Sequence, residues 1–323
     1  CRQYGRLPRG CLVVDQASAW NFREANVVWF DSELPFGFAM TKRHHWYFAL
    51  ALALALPAAA QDNEALTQTM PSLSRDEQFA ELLSKIEPHR LLLVGEIHGT
   101  RETPELVAAL AQRMATSERT LIVGLEIPHD EQTHLQRFME SAGTSEDRTR
   151  LLEGAFWQRD YQDGRSSVAM LELIEALRSL ALKTKIEVLA FDIKPDPQRS
   201  GADRDKAMAK RIRKALEAAP EARALILAGN FHTRIQDGAP WDPEHRFMGH
   251  HLLDFNPYSI EVMGISGSAW ICTGPEVSDC KARDMPSNPM QAGLELGDEI
   301  NDRSHHGRWW LETSSASAPA REL

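Results

Sequence analysis

Residues 90–98 read RLLLVGEIH, and three later stretches repeat that design: TLIVGLEIP at 120–128, IEVLAFDI at 186–193 and ARALILAGNFH at 222–232. Each is a short, continuous apolar run, the pattern of a strand buried on both faces rather than on one. Amphipathic stretches at 76–86, 104–115, 131–141, 167–182 and 204–218 separate them, with apolar residues at helical spacing and Pro104 suited to a first helical turn. Strand and helix in alternation predict an α/β fold: a mostly parallel open sheet with right-handed crossovers and helices on both faces. The connection from 129 to 185 is long enough for a helical insertion between strands two and three, with a loop at 143–164 that runs into FWQRDYQDGR and is placed to act as a lid. The stretch 259–273 alternates more and predicts an antiparallel edge strand, and 281–323, rich in Ser, Gly, Pro and charge, predicts a loosely ordered tail after a domain at 61–280.

The ends of the four apolar runs carry the chemistry. Each turns polar as it stops: Glu96 and His98, then Glu126, then Asp192, then Asn230 and His232. In an open parallel sheet, ligands bind outside the carboxyl ends of the strands, so these residues are expected to meet in one crevice. Glu96 and His98 are two apart, as are Asn230 and His232, which points each pair the same way on an extended strand. Carboxylates buried there need partners. Two are offered by the sequence: the imidazoles, or a divalent metal held by His98, Glu126, Asp192 and His232 that would lower the pKa of a bound water. Without a metal, His98 or Glu96 takes the proton from water, and His232 with Asn230 steadies the oxyanion. Arg101 after the first run, His129 after the second, and Tyr161 with Trp157 in the insertion are further candidates for ligand contact, the aromatic pair by stacking on a flat ligand. No G-x-S-x-G elbow, phosphate loop or H-E-x-x-H is present, which disfavours a serine hydrolase, a nucleotide-binding enzyme and a helix-borne zinc protease.

Charge and the amino-terminal region narrow the setting. With 36 basic and 46 acidic residues the net charge is −10, which argues against nucleic acid and anionic lipid as partners and leaves a small molecule. Residues 1–39 read as upstream sequence outside the fold. Residues 40–60 read as a signal peptide: Met40, Lys42 and Arg43, an apolar run of eleven residues at 46–56, Pro57, then Ala58-Ala59-Ala60 before Gln61. That run is shorter than the roughly 20 residues a membrane span needs. A periplasmic or secreted protein with no transmembrane span is expected, and with no cysteine near the cleavage site no lipid anchor is expected. Cys272 and Cys280, in CTGPEVSDC, are expected to pair as a disulfide in such a compartment, a zinc pair being the alternative.

GEIHGTRETPEL at 95–106, GLEIP at 124–128 and GNFH at 229–232 together resemble the ChaN-like haem-binding proteins, within the wider superfamily of Tiki/TraB-type proteins and erythromycin esterases. The likeness runs over about residues 75–270. It implies haem or iron-related ligand binding in a bacterial envelope, with haem as cofactor and a homodimer around it. From the esterase branch it implies a Glu and a His of the first motif that activate water, and from the Tiki branch a metal-dependent peptidase. By motif, Glu96 and His98 match the first pair, Glu126 the second-motif acid, and Asn230 and His232 the last. The ChaN pattern takes its haem ligand from a tyrosine; Tyr161 and Tyr258 stand after residue 61, outside the matched motifs.

Overall fold

The computed structural model describes residues 73–323 apart from 195–197, 199 and 240. The stretch 1–39 and the expected signal peptide at 40–60 lie outside the described residues. A helix α1 (Arg75–Lys85) opens the fold, capped by Ser74, whose hydroxyl accepts from the Glu77 amide while Glu77 reaches back to the Ser74 amide. Then come β1 (Leu91–Glu96), α2 (Glu102–Met114), β2 (Leu121–Pro128), α3 (Gln132–Met139), α4 (Ser145–Leu152), α5 (Ala155–Gln158), α6 (Val168–Ala181), β3 (Ile186–Asp192), α7 (Gly201–Ala218) and β4 (Arg223–Gly229). After a long loop follow β5 (Pro257–Gly264), β6 (Ser268–Cys272), β7 (Cys280–Asp284), β8 (Gly293–Leu296) and β9 (Gly307–Leu311).

Seven strands form one sheet in the order β3-β2-β4-β1-β5-β9-β8, parallel throughout except for the β8–β9 pair at one edge. The alternation of side chains along each strand fills two cores. Leu92 and Val94 of β1, with Leu225 and Leu227 of β4, pack under α1, α2 and α6 on one face. Leu91 and Leu93, with Ala224, Ile226 and Ala228, meet Met208, Ala209, Ile212 and Leu216 of α7 on the other. The helices α3 to α6 are the expected insertion between β2 and β3. Among the described residues no helix is long and apolar enough to cross a membrane.

Two expectations for the last quarter of the chain are corrected. The stretch 259–273 is two strands in two sheets. β5 runs parallel beside β1, inside the sheet, and the chain then turns at Gly267, whose φ of +116° and contact with Ser314 leave no room for a Cβ. Beyond that turn β6 pairs antiparallel with β7. The residues after 281 are built into the fold. β9 lies between β5 and β8, and Trp309 is buried with its ring edge-on to Phe79 at 5.0 Å. GRWWL is one more short run buried on both faces, hidden in a polar composition that averages it away.

Candidate active site

Parallel pairing brings the carboxyl ends of β1, β4, β2 and β3 to one rim, where Glu96 stands opposite Gly229 and Pro128 opposite Asp192. The ladder between β2 and β4 stops at Leu125–Leu227, and β2 shifts register against β3 just beyond Leu125. There the Glu126 carboxylate takes over as partner: the Gly229 amide donates to its Oε2 at 2.7 Å. A strand irregularity thus aims an acid into the crevice.

His98 lies between two acids. Its Nδ1 is 2.8 Å from Glu96 Oε1 and its Nε2 is 3.5 Å from Glu126 Oε2. Burial alone would lower the imidazole pKa, but Glu126 and Glu96 outweigh it and lift it to about 10, so His98 is an imidazolium at neutral pH. Burial raises the Glu96 pKa, with His98 working against it. Glu126 is equally buried, yet His98, His232 and Arg204 hold its pKa well below the usual carboxylate range.

His232 is held differently. Its Nδ1 is 2.6 Å from Asp205 Oδ1, and its Nε2 is 2.8 Å from Arg204 Nη1. A guanidinium can only donate, so Nε2 must be the accepting nitrogen and Nδ1 carries the proton. Asp205 also accepts from His245 Nε2 at 3.1 Å and from the Met248 amide at 2.9 Å. Burial works against its charge, but His232 and these hydrogen bonds bring its pKa down to about 2.

Two arginines cover the remaining acid oxygens. Arg204 donates to Asp192 Oδ1 at 3.0 Å, Asp192 Oδ2 at 2.8 Å and Glu126 Oε1 at 2.6 Å. Arg165 donates to Asp192 Oδ2 at 2.6 Å, approaches Glu126 Oε1 at 3.3 Å, and is itself gripped by Asp163 Oδ2 at 2.7 Å. Those acids raise the pKa of both guanidiniums despite burial. The carboxylates of Glu96, Glu126 and Asp192 are nearly sealed from solvent, whereas His98 and His232 keep 23% and 18% of their side chains accessible. A ligand therefore meets imidazole and guanidinium edges over a floor of acids.

Of the residues expected here, Glu96, His98, Glu126, Asp192 and His232 do assemble. Asn230 joins through its backbone, donating its amide to Glu96 O at 2.9 Å. Arg101 does not: Gly99, at φ +73°, turns the chain away, and Arg101 sits at the start of α2, exposed, 3.0 Å from Glu172. His129 is exposed in the turn after β2. Trp157 is buried in the core and stacks on no ligand surface. Tyr161 donates its hydroxyl to Gly274 O at 2.9 Å. Cys272 and Cys280 face each other across β6 and β7 and are joined in a disulfide, which leaves no thiolates for zinc. Sequence reasoning missed Arg165, Arg204, Asp205 and Asp163. Asp163 and Arg165 lie at the end of the insertion loop, and nothing local marks Arg204 and Asp205 except their place in the first turns of the helix after β3.

Neither cofactor expectation suits this donor set. Among the described residues no three acids, imidazoles or thiols are arranged to hold a metal ion. The oxygens of Glu126 and Asp192 that would do so already face Arg204 and Arg165, which would repel a cation. A haem needs an imidazole or phenolate with a free ligating atom. His98 faces an acid at each ring nitrogen, His232 Nε2 faces Arg204, and the Tyr161 and Tyr258 hydroxyls are bonded to carbonyls, so a haem iron would first have to displace one of these partners.

No protein-family description and no curated protein matches the chain. Solved structures do. A protein described as a succinoglycan biosynthesis protein aligns with a TM-score of 0.55 at 11% identity, over 76% of this chain and 93% of that one. A mutant erythromycin esterase in its open conformation aligns with a TM-score of 0.52 at 12% identity, over 76% and 95%. The chain shares their α/β fold. At these identities the likeness is one of architecture, and the chemistry has to be argued from the site.

Proposed function

We propose that this protein is a hydrolase that cleaves an ester or amide bond with activated water, using His232 as general base and His98 as general acid. The observation that carries the reading is the complementary state of two imidazoles facing one carboxylate: His98 charged between Glu96 and Glu126, His232 with Nδ1 fixed by Asp205 and Nε2 bare of hydrogen.

The proton accounting follows. A water that displaces the Arg204 Nη1 contact lies against His232 Nε2, which accepts its proton as the oxygen attacks the carbonyl carbon. Asp205 stabilises the imidazolium that forms. The tetrahedral oxyanion meets the charged edges of His98 and Arg204, which need no reorganisation to receive it. His98 then passes its Nε2 proton to the leaving oxygen or nitrogen, and Glu126 and Glu96 keep it ready for reprotonation from solvent. This reverses the roles expected from sequence, where His98 took the proton and His232 steadied the oxyanion. The erythromycin esterase fold likeness is consistent with ester hydrolysis and supports no particular substrate.

The test is turnover of a panel of p-nitrophenyl esters and anilides by the purified chain, with His232→Gln and His98→Gln beside it. Each variant is expected to lose about 100-fold or more in kcat/KM, the usual scale of acid–base assistance. Unchanged turnover in both variants would sink the assignment. So would a haemin titration giving a Soret shift that Tyr161→Phe abolishes, since that result returns the site to haem binding.

A further inference from the structure

The hairpin formed by β6 and β7 stands outside the main sheet, yet it touches the two loops that supply His98 and Arg165. The Trp270 amide donates to Gly99 O at 2.9 Å, one residue beyond His98. Its indole Nε1 donates to Gln162 O at 2.9 Å, in the loop that ends at Arg165. Cys272 Sγ lies 3.4 Å from that same Gln162 oxygen, and the Tyr161 hydroxyl reaches Gly274 O in the hairpin's turn at 2.9 Å. The junction has no slack. A Cβ on Gly164 would fall 2.6 Å from Gly99 N and 2.8 Å from Trp270 O, and one on Gly99 would fall 2.1 Å from Trp270 O. Both glycines have positive φ, so backbone and space agree in demanding glycine.

We propose that this hairpin is the positioning element for Arg165, and that closing Cys272–Cys280 completes the active site. The hairpin has two strands of five residues each, too short to be stable alone, and its cross-strand cysteines are directly paired. With the thiols open, the β6–β7 pairing loosens, Trp270 releases Gln162, and Arg165 loses its fixed approach to Asp192 and Glu126. Closure is a thiol–disulfide exchange. The two thiols give up two protons and two electrons to a disulfide-bearing oxidant, which leaves as a dithiol. Trp270, Tyr161 and Gln162 are positioning residues: they act on the chemistry only through Arg165. A chain that is exported, as the amino-terminal pattern predicts, would acquire a finished site where disulfides persist.

The activity part of this inference rests on the hydrolase reading; the structural part does not, and the experiment separates them. Hydrogen exchange is followed by mass spectrometry on the full chain, oxidised and after dithiothreitol, and on oxidised Trp270→Phe, which keeps the disulfide but removes the indole donor. Exchange in residues 159–167 is expected to rise about tenfold on reduction and in Trp270→Phe, while β1 and β4 stay protected. Hydrolysis of p-nitrophenyl acetate should fall about tenfold in both, and Arg165→Gln should show no further fall on reduction, as coupled residues do. Unchanged exchange at 159–167 in Trp270→Phe overturns the proposal even if reduction unfolds the whole chain. A further fall on reduction in Arg165→Gln also overturns it, because the hairpin would then act by another route. Absence of turnover with the exchange result intact sinks only the hydrolase reading.

Discussion

Replacing Glu126 by Gln should neutralise His98 near physiological pH, and the size of the effect can be worked from the distance between them. Glu126 Oε2 is 3.5 Å from His98 Nε2. At an effective dielectric of about 20, two unit charges at that separation attract by about 5 kcal/mol. At 1.36 kcal/mol per pH unit, that corresponds to a titration midpoint about 3.5 pH units lower once the charge is gone. His98 starts at about 10, so the variant should titrate near neutrality, with Glu96 still supporting the charge and burial opposing it. The assay is an NMR titration of the imidazole Cε1–H resonances, with His98→Gln to assign the signal. The folded state gains from the raised pKa. That stabilisation is complete below the unfolded midpoint of about 6.5 and is lost as pH rises through the folded one, so chemical denaturation of the wild type should show falling stability between about pH 6.5 and 10, flattened in Glu126→Gln. A wild-type His98 that titrates below pH 8, or a midpoint that Glu126→Gln leaves in place, would refute the reasoning and remove the general acid.

Two further perturbations probe the same architecture. In Gly229→Ala the new Cβ would lie 3.0 Å from His98 Nε2; the ring must yield by a few tenths of an ångström, costing about 1–2 kcal/mol by overpacking and more than tenfold in turnover, measured by urea denaturation beside ester hydrolysis, and wild-type values in both would mean the imidazole has room the geometry denies. Asp205→Asn should leave the fold intact but cut turnover by about 100-fold or more, because the amide no longer fixes the proton on His232 Nδ1; since the wild-type carboxyl titrates at about 2 against 3.8 for an unperturbed group, its contribution is present above about pH 4 and lost toward pH 2, and an acid limb of stability identical in wild type and variant would count against the pairing.

Much of the fold was legible because burial on both faces writes itself into sequence. RLLLVGEIH, TLIVGLEIP, IEVLAFDI and ARALILAGNFH have few polar residues before their ends, and parallel pairing then forces those ends together. Glu96, His98, Glu126, Asp192 and His232 were readable for that reason. Arg204 and Asp205 were not, since a charged pair in the first turns of an amphipathic helix reads like any solvated face. Arg165 reaches the acids from the insertion, and no local pattern says which way a loop folds back. Arg101, close after His98 in sequence, is instead paired with Glu172 of α6, a partner no local pattern names. β9 escaped because one five-residue run cannot outweigh the Ser, Gly, Pro and charged residues around it in a composition average.

The place of β9 between β5 and β8 also bears on how the chain can be made. Synthesis delivers the long β5 strand well before the Trp309 segment that covers its free side. Until residues 307–311 emerge, β5 offers a row of open amides and carbonyls to any passing strand, the situation that promotes aggregation. A polypeptide with this topology leaves that side of its sheet open until residues 307–311 are free to fold, and has to be kept from meeting its own copies until then.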